Sequence, residues 1–182
     1  MYSDKRNLLP LRQSLHPEAE AKHLFATPGV VDWLSRPEKY LITIEGDEGT
    51  IHAASESALR EARELLRQVH GGRITLGETS VHTFVDASGE RVEPVMFTRV
   101  SAGRDHAVPL LEILKDRGAD VQEVELQWDR SVIRAEAPLA RLIGSEAAVQ
   151  ELTAGQAHFV SWLARYAPVS TPAEGARAGW HR

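Results

Sequence analysis

Between Val92 and Val169 the apolar positions switch between a period of two and a period near 3.6. The order spelled out is strand, helix, strand, strand, helix, strand. Pro94 to Ser101 alternates as a first strand, and Asp105 is placed to N-cap a helix from His106 to Arg117 whose stripe is Ala107, Leu110, Leu111 and Leu114. Gly118 ends that helix. Two strands follow, Val121 to Gln127 and Ser131 to Ala137, joined at Trp128-Asp129-Arg130. Pro138 leads into helical turns, APLARLIG and then SEAAVQEL with Ser145 as a candidate cap. Thr153-Ala154-Gly155 then turns the chain into a last strand, Ala157 to Tyr166.

This order predicts an α+β fold whose second half, residues 92–169, is a ferredoxin-like βαββαβ sandwich with both helices on one face of an antiparallel sheet. Strict alternation then sorts the strand residues. Met96, Val100, Val124, Leu126, Ile133, Ala135, Ala137, Val160, Trp162 and Ala164 are expected beneath the helices. Val95, Phe97, Arg99, Glu123, Glu125, Val132, Arg134, Glu136, Phe159, Ser161, Leu163 and Arg165 are expected on the opposite, open face.

Upstream the pattern is less regular. Residues 1–36 read as an N-terminal arm with weak helical spacing at Leu15, Ala19, Ala21, His23 and Leu24, plus a short turn at Val30 to Leu34. Residues 37–86 read as a smaller, partial α+β module. It comprises a hairpin around Gly46-Asp47-Glu48-Gly49, a helix from about Ser57 to His70 stopped by Gly71-Gly72, and a strand interrupted at Gly77. Asp86 to Arg91 is a polar turn between the modules, and residues 170–182 read as a flexible tail.

Composition narrows the chemistry. An apolar fraction of 42% supports ordinary cores, and the absence of cysteine excludes disulfides, thiolate metal sites and cysteine catalysis. No signal peptide or membrane-length apolar run is visible, so the expectation is a cytoplasmic chain with no membrane partner. A net charge of −5 opposes non-specific attraction to polyphosphates while leaving room for a local basic face. The eight histidines are scattered without an HExxH pair. Only His52 and His82 could meet across a sheet, which is fewer ligands than a catalytic zinc needs. No GxSxG elbow exists, and the acidic tip Glu45, Asp47 and Glu48 supplies too few oxygens for a hard cation. Neither a catalytic residue nor a metal or other cofactor is expected.

One resemblance is specific. Glu93-Pro94-Val95-Met96, Arg117-Gly118, Val132-Ile133-Arg134-Ala135, Pro138-Leu139, the Gly144 break, the turn from Thr153 into the strand at Phe159, and Tyr166 stand in order over about 75 residues. Together they resemble the C-terminal domain, domain V, of elongation factor G and related translational GTPases. The stretches LITIEGDEGTIHAAS, ESALREARELLRQV and GGRITLGETSVHTF are similar, more faintly, to the second half of domain III of the same factors. The chain departs from that pattern at Ala53 to Leu59, where the family has a glycine-rich turn. The long domain IV that separates the two modules in the family is replaced by Asp86 to Arg91.

No GxxxxGK[ST] occurs in the sequence, so the resemblance implies a non-catalytic chain that keeps a docking region and binds no GTP. The partners it implies are the ribosome, through ribosomal RNA or a ribosomal protein, or another protein. The open face is the candidate interaction surface, carried by Phe97, Arg99, Arg134, Phe159, Leu163 and Arg165. Packing against the first module, a homodimer, another protein or RNA could each cover it, the last because aromatic rings beside arginines suit single-stranded RNA. Arg104, Arg117, Arg130 and Arg141 form a second candidate patch at loops and helix ends. A homo-oligomeric protein- or ligand-binding module unrelated to translation is the alternative.

Overall fold

The computed structural model describes residues 5–18, 29–46 and 48–169. The first module runs β1 (Leu11–Pro17), α1 (Val30–Leu34), β2 (Tyr40–Glu45), β3 (Glu48–Ala53), α2 (Glu56–His70) and β4 (Ile74–Val81). After a short β5 (Phe84–Val85), the second runs β6 (Arg91–Gly103), α3 (Ala107–Asp116), β7 (Asp120–Leu126), β8 (Arg130–Pro138), α4 (Leu139–Leu142), α5 (Ser145–Leu152) and β9 (His158–Pro168).

Both sheets are antiparallel. The first has strand order β2-β3-β1-β4. In the second, β6 lies between β9 and β8, and β7 is the outer neighbour of β8. The second module is therefore the α+β, ferredoxin-like arrangement expected from its periodicity. The first has the same strand order and is more complete than the partial module expected, because the arm supplies its central strand.

Leu15, the one position of that arm's helical spacing among the described residues, lies in a strand, since Leu11–Pro17 pairs with β3 on one side and β4 on the other. Leu11, Gln13 and Leu15 point inward and are buried. The polar residue among them hides the alternation. Gln13 is satisfied inside, donating to the Gly77 carbonyl at 2.7 Å and accepting from Arg63 Nε at 2.6 Å, so its burial costs little. The bulge lies where Gly77 predicts a break, because the register of β1 against β4 shifts between Gln13 and Leu15. Ala19, Ala21, His23, Leu24, Asp47 and the tail 170–182 lie outside the described residues.

Helix α2 forms as its sequence dictates. Ser55 caps it by accepting from the Ala58 N–H at 3.2 Å, and Ala58, Leu59, Ala62 and Leu66 bury one stripe. The two other expected caps are not used. Asp105 lies in a 3-10 turn, Arg104–His106, ahead of α3, and Ser145 is buried inside α5 behind Gly144.

The two modules share a core. Leu11, Leu15, Tyr40, Ile42, Ile51, Leu59 and Leu66 pack in one cluster with Met96, Ala137, Leu139 and Leu142 of the second module. A second cluster of Val100, Leu110, Leu114, Ile133 and Val149 lies beneath α3 and α5. Polar ties add to the seam. Tyr166 Oη of β9 donates to the Asn7 carbonyl at 2.9 Å, and its ring lies 4.8 Å from Phe84, tilted by 57°, with Phe84 in turn 5.4 Å from His82. Burial pushes the Tyr166 phenol up to about 12, the Arg12 guanidinium opposing weakly. Among the described residues no helix is long and apolar enough to cross a membrane.

Candidate functional site

The face of the second sheet turned away from α3 and α5 is built mainly on β6, β8 and β9. Opposite residues of an antiparallel pair share a face, so the register decides its membership. Met96 pairs with Leu163 and Ala137, and Val100 pairs with Phe159 and Ile133, all on the helix side. Phe97 pairs with Trp162 and Glu136, and Arg99 pairs with Val160 and Arg134, on the open side.

Three of the expected face residues are thus displaced, Phe159, Leu163 and Ser161, the last lying across from buried Thr98. Phe159 packs against the second core cluster and Leu163 against the shared one, while Val160 and Trp162 take their places outside. The cause is a bulge in β9. Val95 pairs with Arg165 but Met96 with Leu163, so Ala164 is an extra residue and the alternation slips there. Arg165, beyond the bulge, stays on the open side. Phe97, Arg99 and Arg134 are where the periodicity places them. Trp162 escapes a sequence reading that carries one alternating register through the whole strand.

The face carries a defined aromatic pair and a defined charge pattern. The rings of Phe97 and Trp162 lie 4.7 Å apart, tilted by 31°, and Trp162 keeps 47% of its surface exposed. Arg134 Nη1 reaches Glu123 Oε2 at 2.6 Å and Glu125 Oε2 at 3.8 Å, and Arg165 pairs with Glu136. Arg99 is exposed, lies directly across from Arg134, and has no ionic or hydrogen-bonding partner among the described residues. The exposure of Trp162, Arg99 and Arg165 means that the first module does not cover this face, as one sequence expectation had it.

The second candidate patch is not brought together for binding. Arg117 Nη1 donates to the carbonyls of Arg141 and Ile143, tying down the α4–α5 corner, and Arg104 Nη1 donates to the Gln127 carbonyl at 3.2 Å. His52 and His82 do not meet either. They are separated by β1, with His52 Nε2 at 3.1 Å from Thr43 Oγ1 and His82 Nε2 at 2.9 Å from Asn7 Oδ1. No three His, Cys, Asp or Glu side chains converge on a possible metal position among the described residues.

Two concavities lie elsewhere. A cleft of about 110 Å³ between the modules has Met96, Leu139, Leu142 and Phe159 as apolar walls, with Glu56 and Glu146 at its rim. A polar groove of about 390 Å³ crosses the first sheet over Arg12, Ser14, Thr43, Thr50 and His52. The groove brings the Thr43 hydroxyl to 3.1 Å from His52 Nε2, a hydroxyl–imidazole pair, while the cleft is walled mainly by apolar side chains.

Comparison with known proteins agrees with the second module. Residues 90–175 match the family described as Elongation factor G C-terminus. The chain is 31% identical over 85 residues to Ribosome-releasing factor 2, mitochondrial, of Danio rerio, a match covering 47% of this chain and 11% of the relative. It is 31% identical over 91 residues to Elongation factor G 2 of Hahella chejuensis, covering 50% of this chain and 13% of the relative. The matched region thus spans only about a tenth of the length of these relatives. A crystal structure of a protein from Thermus thermophilus superposes with a TM-score of 0.58 at 14% identity, over 87% of this chain and 40% of that one, a likeness of fold that extends over both modules. The chain carries an elongation factor G-like C-terminal region and is in that sense related to translation factors.

Proposed function

We propose that this chain is a non-catalytic binding protein that docks on the ribosome or on another part of the translation machinery without hydrolysing GTP. The observation that carries the reading is the elongation factor G C-terminus match over residues 90–175, on a module held in one body with its neighbour by the shared Met96 core. A fixed two-module body offers a pre-organised surface, which lowers the ordering cost of docking. The sequence contains no GxxxxGK[ST], so the phosphate cradle of a P-loop GTPase is not supplied by these residues. Its working compartment in this reading is the cytoplasm, with the ribosomes.

Sedimentation of the tagged full chain through a sucrose gradient tests the reading. Co-migration with ribosomal subunits or whole ribosomes at low salt is the expected result. Absence from every ribosomal fraction at both low and moderate salt overturns it. Calorimetry with GTP and magnesium should give no heat of binding, and a saturable isotherm would contradict the GTP-independent part. A homo-oligomeric module unrelated to translation is favoured by one observation, the exposed Phe97–Trp162 pair. Light scattering at several concentrations tests it, and a strict monomer removes it.

A further inference from the structure

We propose that the open face of the second sheet binds single-stranded RNA, stacking a base on Trp162 and holding a phosphate at Arg99. Three observations meet at that spot. The indole of Trp162 is nearly half exposed and is braced from one side by Phe97, at 4.7 Å, so a flat π surface is presented in a fixed orientation. Arg99 follows Phe97 by two residues on the same face of β6, about 7 Å along the strand, a span comparable with the reach from a nucleobase to its own phosphate. Arg99 also faces Arg134 across the ladder, a like-charge juxtaposition that an anion would relieve.

The charge pattern distinguishes this occupant from a second copy of the chain. Glu123 and Glu125 are taken by Arg134, and Glu136 by Arg165, so among the described residues Arg99, like Arg130 at the far end of β8, is a cation of this face left without a carboxylate. A second copy would bring Arg99 no spare carboxylate, because Glu123, Glu125 and Glu136 of an identical face are already paired, and burying the guanidinium there would leave its charge uncompensated. A base on the indole with its phosphate on the guanidinium satisfies both groups at once. Sheet-borne aromatics with adjacent cations bind unpaired bases in this way and accept many sequences, because every base has a π face.

The test is fluorescence anisotropy of labelled single-stranded oligouridylate and oligoadenylate, about ten nucleotides long, with the full chain at about 50 mM salt. Saturable binding is expected, weakened about tenfold or more by Trp162→Ala, the order expected for one lost stacking contact, and similarly by Arg99→Ala. Trp128→Ala, at a tryptophan 86% exposed on the β7–β8 turn, should bind as the parent does. Both test residues are substantially exposed, so the variants should fold, which circular dichroism verifies. No saturable binding, or binding indifferent to both Trp162→Ala and Arg99→Ala, overturns the proposal. So does a dimer that Trp162→Ala converts to a monomer. Ribosome co-sedimentation without saturable oligonucleotide binding would sink this inference and leave the docking reading standing. RNA binding that depends on Trp162, without any sedimentation, would do the reverse.

Discussion

Both carboxylate oxygens of Glu56 accept the backbone N–H of Gly144, at 2.9 and 3.1 Å, so the first residue of α2 in one module caps α5 in the other. The carboxylate lies near two helix N-termini at once, where unpaired N–H groups carry partial positive charge. No capping side chain is contributed by α5 itself: its cap position is Gly144 at φ +82°, and Ser145 is buried. Glu56→Ala is therefore expected to destabilise the chain by about 1 to 2 kcal/mol, and Glu56→Gln by less, since the amide oxygen still accepts. Urea unfolding measures both. An alanine variant as stable as the parent would show that the two modules do not meet there in solution. Arg60→Ala is the control, because the Arg60 side chain in its pair with Glu146 is 68% exposed and should contribute under about 1 kcal/mol.

The shared core makes a second expectation. Met96 belongs to the second module by sequence, yet it is fully buried among side chains of the first. Met96→Ala and Leu66→Ala should each cost about 2 to 5 kcal/mol. Both should lower a single transition that tryptophan fluorescence and far-ultraviolet circular dichroism report together. Two separated transitions, with each substitution moving only one, would show that the modules unfold independently.

Much of this fold is legible in the sequence because alternation and helical spacing are strong in the second half, where Met96, Val100, Leu110, Leu114 and Ile133 all lie where their periods put them. What escapes comes from single residues that break a period. Gln13 looks like a surface residue until its partners Arg63 and Gly77 are brought alongside by the fold, and these lie 50 and 64 residues away. Ala164 looks like any strand residue, yet as the extra residue of a bulge it exchanges Phe159 and Leu163 for Val160 and Trp162 on the candidate face. The cap on α5 is invisible for the same reason, since Glu56 is 88 positions from Gly144. Local pattern carries periodicity well and carries register shifts and long-range polar partners poorly.

Alkaline pH should weaken the fold through Tyr166. Well below its ordinary value near 10 the phenol is protonated in both the folded and unfolded chains, and its burial adds no pH dependence. Between that value and the folded value of about 12, only the unfolded chain releases the proton, so stability falls as pH rises. Tyr166→Phe should start less stable, having lost the bond to the Asn7 carbonyl, but should show a shallower decline over this window. Urea midpoints across the alkaline range decide it, and parallel profiles for parent and variant would exclude the assignment.

The acid side is governed in the opposite sense by His70, buried at the end of α2. Burial, with the Arg73 charge adding to it, holds the imidazole below its ordinary value near 6.5. The folded chain therefore keeps a neutral ring while the unfolded chain takes up a proton, and stability is lost as pH falls below about 6.5. His70→Gln should flatten that slope in acid urea titrations. A variant with the parent's slope would place the acid sensitivity elsewhere.

The turn from Asp86 to Glu90 gives a last expectation, about where the chain can be lengthened. Asp86 Oδ1 accepts from the Ser88 N–H at 2.8 Å, the Ser88 hydroxyl at 2.6 Å and the Glu90 N–H at 3.1 Å. These bonds hold the Asp86 carboxyl below the usual range, the Ser88 hydroxyl first among them. The ends of the turn are joined by the Asp86 N–H to Glu90 carbonyl bond at 2.9 Å, and its tip is exposed with Gly89 at φ +86°. Nothing in the shared core depends on the tip, so a flexible insertion between Ser88 and Gly89 adds chiefly loop-closure entropy, which grows only by about 0.6 kcal/mol for each doubling of length. A glycine- and serine-rich insertion there should leave the melting temperature within a few degrees, whereas the same segment placed between Ala135 and Glu136, inside β8, should abolish folding. If both insertions were equally damaging, the turn would be part of the folded body rather than a seam that admits added chain.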